Sequence, residues 1–361
     1  MAWRRDLGGR GRVSGRKARL ARKLRWQRDW CRKLGSPLYA KLLEAAARDV
    51  ERRGAAWELL VDLAYDPPGH GLALRLMGAV HRLVLSGRAP LLEPFYPSVG
   101  GDANRSGAEE AFLSTLELNR PAIRRLIRPN VQTNEVGRSA ALLGGFHSIA
   151  RETRLPLRLL ELGASAGLNL RWDHFHFESG RSAWGKPNSP VKFQNVFVGR
   201  APRLDARVRI VERAGSDLHP VNPSTRQGGL TLLSYTWADQ TARLRQLRAA
   251  LRVARAVPAR VDRADAPLWL PAKLAVLPTG AATVVFHSIF MPYVSRAGRR
   301  RIKETLKKAG RGATNSSPLA WLRMEAGGDQ AEIRLTLWPG GEERLLAQAG
   351  FHGLPVRWLA A

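Results

Sequence analysis

Apolar residues recur at three- and four-residue intervals through most of the first 155 positions. Leu20, Leu24, Cys31 and Leu34 fall at helical spacing over 16–34, which leaves one side of that segment apolar. Ser36 and Pro37 offer a cap and a first turn for a second helix over 38–54. The same period runs through 56–64, 71–86, 107–127 and 135–154. The pattern predicts a mostly α-helical region up to residue 155. It is interrupted at 94–104, where YPSVGGD makes a turn-rich connection of the kind that often carries function.

Past Pro156 the pattern changes. The short apolar run 157–162 enters GASAG and reads as a buried parallel strand ending in a glycine turn. WDHFHFE and VKFQNVFV alternate around SGRSAWGKPNSP over 172–198, which predicts a β-hairpin inserted after the helix that follows the turn. Further strands are predicted at 208–211, 260–262, 283–286, 319–324, 331–338 and 354–358, with helices at 236–256 and 295–309. Strands alternating with helices indicate an α/β fold with a Rossmann-like, mostly parallel sheet. The expected organisation is a basic tail (1–33), a helical N-terminal region (34–155) packed on the sheet, and the Rossmann-like domain (156–361).

LLELGASAGLNL, residues 159–170, is the sharpest local feature. Glycines at a strand end let backbone approach a ligand closely, and the next helix presents free N–H groups. The spacing E-x-G-x-x-x-G, from Glu161 through Gly163 to Gly167, departs from the dinucleotide fingerprint. It suits the carboxylate and sugar of S-adenosylmethionine (SAM) better, and the class I methyltransferase sheet is the expected architecture. A glycine turn needed only for strand–helix packing is the plainer alternative.

Other predicted strand ends carry polar groups. Glu212 follows the strand at 208–211, where a carboxylate can grip ribose hydroxyls, and Asp217 follows closely. Asp265 follows the strand at 260–262, near the expected adenine. Taken singly, each of these acids reads first as a helix cap or surface charge. His287 and Ser288 stand at the mouth of a buried strand, the edge where open α/β sheets bind ligands. His287 is a candidate base or orienting group for a methyl acceptor, or a histidine satisfied by its neighbours. Gln132, Thr133, Asn134, Glu135 and Arg138 stand at the start of the predicted helix at 135–154. They read either as a helix cap or as polar groups closing over a cofactor. Tyr235, Trp237, Asp239, Gln240 and Arg243 read chiefly as a helix start.

Composition narrows the chemistry. G-x-S-x-G, H-E-x-x-H and Walker motifs are absent. His174 and His176 alternate on one predicted strand face without a clear third ligand, so no metal site is expected. The single cysteine, Cys31, agrees with a reducing compartment, and no apolar run is long enough for a membrane span. A cytoplasmic protein is expected. Lys and Arg number 59 against 30 Asp and Glu, a net charge of +29. Residues 1–33 hold thirteen basic residues and two acids, +11 of that excess. Residues 1–15 are rich in Gly and Arg and are expected to lack regular structure. This segment reads as a solvated tail or as a surface for nucleic acid or anionic lipid, with Trp26 and Trp30 available for stacking.

The strings GSPLYAKL, YPSVGG, QTNEVGRSAALL, LLELGASAGLNLRWDHF, ERAGSDLHP, WADQTARL, FHSI, WLRME and LTLWPGGEERLLAQAGFHGLPVRW resemble, in that order, the bacterial domain-of-unknown-function family 2332. The resemblance runs from about residue 34 to 359 and leaves 1–33 outside. It implies SAM as cofactor through the glycine loop and names no reaction. Carried over by motif, Asn134, Glu135, Arg138, Glu161, Gly163, Ser165, Gly167, Asn169, Asp217, Asp239 and His287 are the family's polar signature positions. Where the family commonly has a tyrosine pair after the glycine loop, this chain has Phe175 and Phe177.

The resulting expectation is a SAM-dependent methyltransferase of unknown acceptor. Glu161, Gly163, Ser165, Gly167, Asn169, Glu212, Asp265 and Asn134 line its cofactor site, and His287, Glu135 and Arg138 lie on the acceptor side. The alternative is a methyltransferase-like fold acting as a nucleic-acid-binding module through its arginine excess.

Overall fold

The computed structural model describes residues 15–67, 70–180 and 182–360. The chain divides into two compact units. One runs to Thr133 and includes Arg226–Arg245, and the other comprises Asn134–Thr225 and Gln246–Ala361. The expected boundary at 155/156 is therefore displaced: the last long helix before the glycine turn belongs with the sheet, and a later segment returns to the helical unit.

The helical unit contains α1 (Arg16–Lys33), α2 (Pro37–Arg52), α3 (Ala55–Leu60), α4 (Leu72–Leu85), α5 (Ala108–Leu118), α6 (Arg120–Leu126), α8 (Arg226–Ser234) and the start of α9 (Thr241–Ala256). Its core is built by the predicted periodicity. Leu20, Leu24 and Cys31 of α1 are buried with Leu38, Leu42, Leu43 and Val50 of α2 and with Leu76, Val80 and Leu83 of α4. The basic segment is thus helical from Arg16 onward, with its charges on the side away from that core, and the part before Gly15 lies outside the described residues. The helix predicted over 107–127 is broken at Asn119, which ends α5 and precedes Pro121 in the first turn of α6.

In the second unit, α7 (Arg138–Thr153) leads into β1 (Leu157–Leu162). There follow a small sheet of β2 (His176–Ser179), β3 (Ser182–Gly185) and β4 (Lys192–Phe193), then β5 (Ile210–Asp217), β6 (Arg260–Arg263), α10 (Ala266–Lys273), β7 (Ala282–Ser288), α11 (Arg296–Arg311), β8 (Leu319–Ala326), β9 (Ala331–Trp338), β10 (Glu342–Ala349) and β11 (Val356–Trp358). The main sheet has the order β11-β10-β9-β8-β7-β1-β5-β6. Strands β6, β5, β1, β7 and β8 are parallel, and β9, β10 and β11 extend the sheet by antiparallel pairing. The result is a mixed α/β unit with a large, mostly parallel sheet. From β1 the chain builds outward to β5 and β6 on one side, then returns to place β7 and β8 on the other. Leu160, Leu162, Val285, Leu319 and Trp321 are buried on one face with Trp269 and Leu270 of α10 and with Ile302 and Leu306 of α11.

Two local departures matter for the site. No α-helix follows the glycine turn: six residues of 3-10 helix, Asn169–His174, occupy the place of the predicted one, with Arg171 out of helical conformation. Strand β5 runs six residues past Val211, to Asp217, and this moves the candidate acids relative to the strand ends.

Candidate functional site

Three parallel strand ends meet around the glycine turn. Glu161 is the penultimate residue of β1. It is paired in register with Gly215 of β5 and Phe286 of β7. Only 3% of its surface is exposed, and its Oε2 has no hydrogen-bond partner. Burial pushes the carboxyl well above the ordinary range, and the nearby charge of Arg171 only partly opposes this. The chain then turns through Gly163 at φ +68°. Any Cβ there would run into the ring of Phe290, and the positive φ adds its own cost, so only glycine fits.

The loop after Gly163 is braced by this unit's own side chains. Ser165 N donates to Asp217 Oδ2 at 2.9 Å, while Ala166 N and Leu168 N both donate to Asn134 Oδ1, at 3.2 and 2.9 Å. Asn169 Nδ2 donates to the carbonyl of Glu135 at 3.2 Å, leaving Asn169 Oδ1 buried without a partner. Arg171, almost fully buried, donates to the carbonyls of Gly167 (2.6 Å), Ala166 (3.3 Å) and Val257 (2.7 Å). Burial lowers its pKa to about 10. The amides expected to await a ligand at a helix N-terminus are therefore already bonded, and Asn134, read from sequence as a cofactor contact, is the group that binds two of them.

On the other side of β1, His287 ends up fully enclosed near the end of β7. Trp321 Nε1 donates to its Nε2 at 3.1 Å, so Nδ1 carries the proton and donates to Glu325 Oε1 at 2.8 Å. The same carboxylate oxygen accepts the amides of Phe290 (2.9 Å) and Met291 (3.0 Å). Burial works to raise the Glu325 pKa, but these hydrogen bonds outweigh it and hold the group below its usual range. His287 has no lone pair left for a substrate, which corrects its reading as an acceptor-side base. It positions Glu325, which in turn holds the segment carrying Phe290 over Gly163. Ile289, between them, adopts φ +47°, a rare conformation for a β-branched residue.

Arg138, in the first turn of α7, donates to the carbonyls of Ser288 (3.1 Å) and Phe351 (3.2 Å) and lies near enough to Glu161 to favour its ionised form. Glu135 turns back on its own loop and accepts from Gly137 N at 3.4 Å. Glu212 is a second correction. Because β5 continues to Asp217, Glu212 pairs in register with Arg158 and accepts its Nε at 2.7 Å, near the opposite ends of the strands. An open surface depression of about 450 Å³, bordered by Glu212, Arg213, Pro258 and Arg260, lies at that far edge and not at the glycine turn. Asp217 takes the strand-end position instead and also accepts His219 N at 2.8 Å. Asp265 precedes α10, exposed and without a side-chain cap bond.

Sequence reading missed Arg171 and Glu325. Arg171 stands directly after the glycine motif, where an arginine before two aromatic-flanked positions signalled little. Glu325 reaches the site only through strand pairing. His174 and His176 fall in different elements, bonded to Lys186 and Glu178 respectively, and no cluster able to hold a metal ion occurs among the described residues. No helix among them is long and apolar enough to cross a membrane.

A family model described as "Uncharacterized protein conserved in bacteria (DUF2332)" matches residues 21–358. The chain belongs to this family. No curated protein and no solved structure matches it. The DUF2332 match begins inside α1, so most of that basic helix is part of the family domain and not a tail outside it. Three family strings, GSPLYAKL, YPSVGG and WADQTARL, lie in the helical unit, where Asp239 accepts Ser36 Oγ at 2.6 Å and Leu38 N at 3.0 Å. That arrangement caps α2 and ties the returning segment 226–245 to it, which is a structural role.

Proposed function

We propose that this DUF2332 protein binds S-adenosylmethionine at the C-terminal ends of its parallel strands and acts as a methyltransferase. The observation that carries the reading is Glu161: a buried carboxyl with an unpartnered oxygen, at the end of the central strand, where the strand order reverses. In order of appearance the parallel strands run 3-2-1-4-5, the Rossmann-like arrangement in which ligands bind at that reversal.

The residues fit such a ligand through acids and not through loop amides. An ammonium group would supply the partner Glu161 lacks and favour its ionised form. Asp217 accepts one amide on each oxygen and keeps lone pairs for ribose hydroxyls. Asp265 stands beyond the next strand end, on the adenine side. Asn134 and Arg171 keep the loop in place between them. SAM brings an electrophilic methyl group whose in-line transfer depends on positioning and on exclusion of water. Arg138, anchored on two carbonyls, sets the local charge beside Glu161. Phe290 occupies the approach to Gly163, so a ligand closing on that glycine displaces the ring.

Calorimetric titration with SAM and S-adenosylhomocysteine tests this. Micromolar binding is expected for the native chain, with a loss of roughly tenfold or more in Glu161→Gln. Gly163→Arg collides with Phe290 and disturbs folding by itself, so the isosteric glutamine is the discriminating variant. Phe290→Ala is expected to tighten binding. Failure of the folded native protein to bind either ligand overturns the proposal.

A further inference from the structure

Helix α11, RAGRRRIKETLKKAGR, carries eight basic residues and one acid. Ile302 and Leu306 are fully buried against the sheet, with Gly298 and Gly310 on the same side. At about 100° per residue, the exposed Arg300, Arg301, Lys303, Lys307, Lys308 and Arg311 fall within roughly half the circumference, opposite that core. No ion pair joins any of these six to an acid among the described residues. This contrasts with the arginines of β8 and β9, where Arg323 and Arg334 share Glu343. Six like charges held along about 17 Å of rigid helix, with Glu304 the one acid of the helix among them, repel one another, and a polyanion relieves that repulsion.

The placement of α11 adds a second observation. Its N-cap, Ser295, accepts Gly298 N at 3.0 Å, and just before it the 3-10 turn Met291–Tyr293 leaves the end of β7. Tyr293 is 61% exposed there, three residues from Phe290 on the glycine turn. An exposed aromatic ring leading a line of cations is the combination that holds single strands: phosphates on the cations, a base stacked on the ring. A membrane-surface helix would turn its apolar face outward. Here that face is enclosed by protein, and no large apolar side chain is exposed on α11.

We infer that the outer face of α11 binds the phosphate backbone of single-stranded nucleic acid, with Tyr293 stacking on a base at the rim of the glycine-turn site. The binding itself is independent of the proposed cofactor. That the bound strand is the methyl acceptor rests on the methyltransferase reading.

Fluorescence anisotropy of the full chain with labelled oligo-dT and oligo-rU, each of about 20 nucleotides, across a salt series tests it. Affinity is expected to fall with salt. The combined Arg300→Glu, Arg301→Glu, Lys307→Glu and Lys308→Glu variant should lower it by about 100-fold and flatten the log–log slope by roughly 3. Tyr293→Ala should cost about tenfold and leave the slope unchanged. The α11 variant should remain folded and keep the native SAM titration, which separates failure of this inference from failure of the cofactor reading. Alanine at Arg4, Arg5, Arg10 and Arg12 should leave affinity within about twofold of native. The inference is overturned if the α11 variant binds like the native protein, if only the N-terminal variant loses binding, or if anionic vesicles bind and neither oligonucleotide does.

Discussion

Two sheltered carboxyl groups, one in each unit, are raised in pKa by burial and differ in everything else. Asp239 is saturated: a hydroxyl and a backbone amide donate to its two oxygens, and the reward is a capped helix and an anchored return segment. Glu161 is more deeply buried and has an oxygen with no donor at all. A carboxyl whose role is structural recruits donors that offset its desolvation. One left without them marks a place where folding stability has been given up, and such places concentrate where ligands bind.

Titration and substitution distinguish the satisfied groups from the unsatisfied ones. The largest change concerns a third buried titratable group, His147 of α7, whose ring packs edge-on to Trp184 at 4.7 Å with neither nitrogen bonded. Burial depresses its pKa from 6.5 to about 4. The unfolded chain therefore takes up the proton first, so this stability is complete above pH 6.5 and is lost as pH falls toward 4. Native-state melts across that window should lose roughly 3 kcal/mol that His147→Phe retains. A parallel decline in both proteins would show that His147 is not the group responsible.

Next is Asp239→Ala, which strips the cap from α2 and orphans Ser36 Oγ and Leu38 N. Chemical denaturation should register a loss of about 2–3 kcal/mol, with SAM affinity unchanged. Asn134→Ala frees the amides of Ala166 and Leu168, and a loss of about 2 kcal/mol with faster amide exchange at those two positions is expected. Unchanged exchange there would mean that the loop holds itself.

The smallest effect has the opposite sign. Glu161 has a folded pKa above its unfolded one, so its ionisation opposes folding: its contribution is fully present below the unfolded value of 4.5 and fades as pH rises. Glu161→Gln should therefore melt higher than the native protein by an amount that grows from pH 5 to pH 8, on the order of 1 kcal/mol. A variant less stable than native at pH 8 would place Glu161 with Asp239 as a structural group.

Much of this was legible because it depends on local periodicity. The helices of the first unit followed apolar spacing within a few residues, the strands at 260–262, 283–286 and 319–324 were each found and slightly short, and the strand at 331–338 coincides with β9 end to end. Two strands were misjudged for physical reasons. ERAGSD carries too few apolar residues to read as strand, yet Ala214, Gly215 and Ser216 are buried in β5. They are small because the glycine turn packs on them: a Cβ at Gly215 would stand 2.7 Å from Ala164 Cβ. That misjudged end sent attention to Glu212 in place of Asp217. EERLLAQA has helical propensity and becomes β10 only through its pairing with β9.

By itself, then, the sequence determined the family, the α/β class, the glycine turn and the acid that precedes it, because each is written in contiguous residues whose spacing or backbone freedom has one meaning. The tertiary structure alone decided which polar groups are spent on the protein and which are left over. Asn134 and Asp217 hold loop amides, His287 is locked between Trp321 and Glu325, and Glu161 remains short of a partner. Hydrogen-bond satisfaction is settled by side chains tens to hundreds of residues apart in sequence, and no local pattern records it.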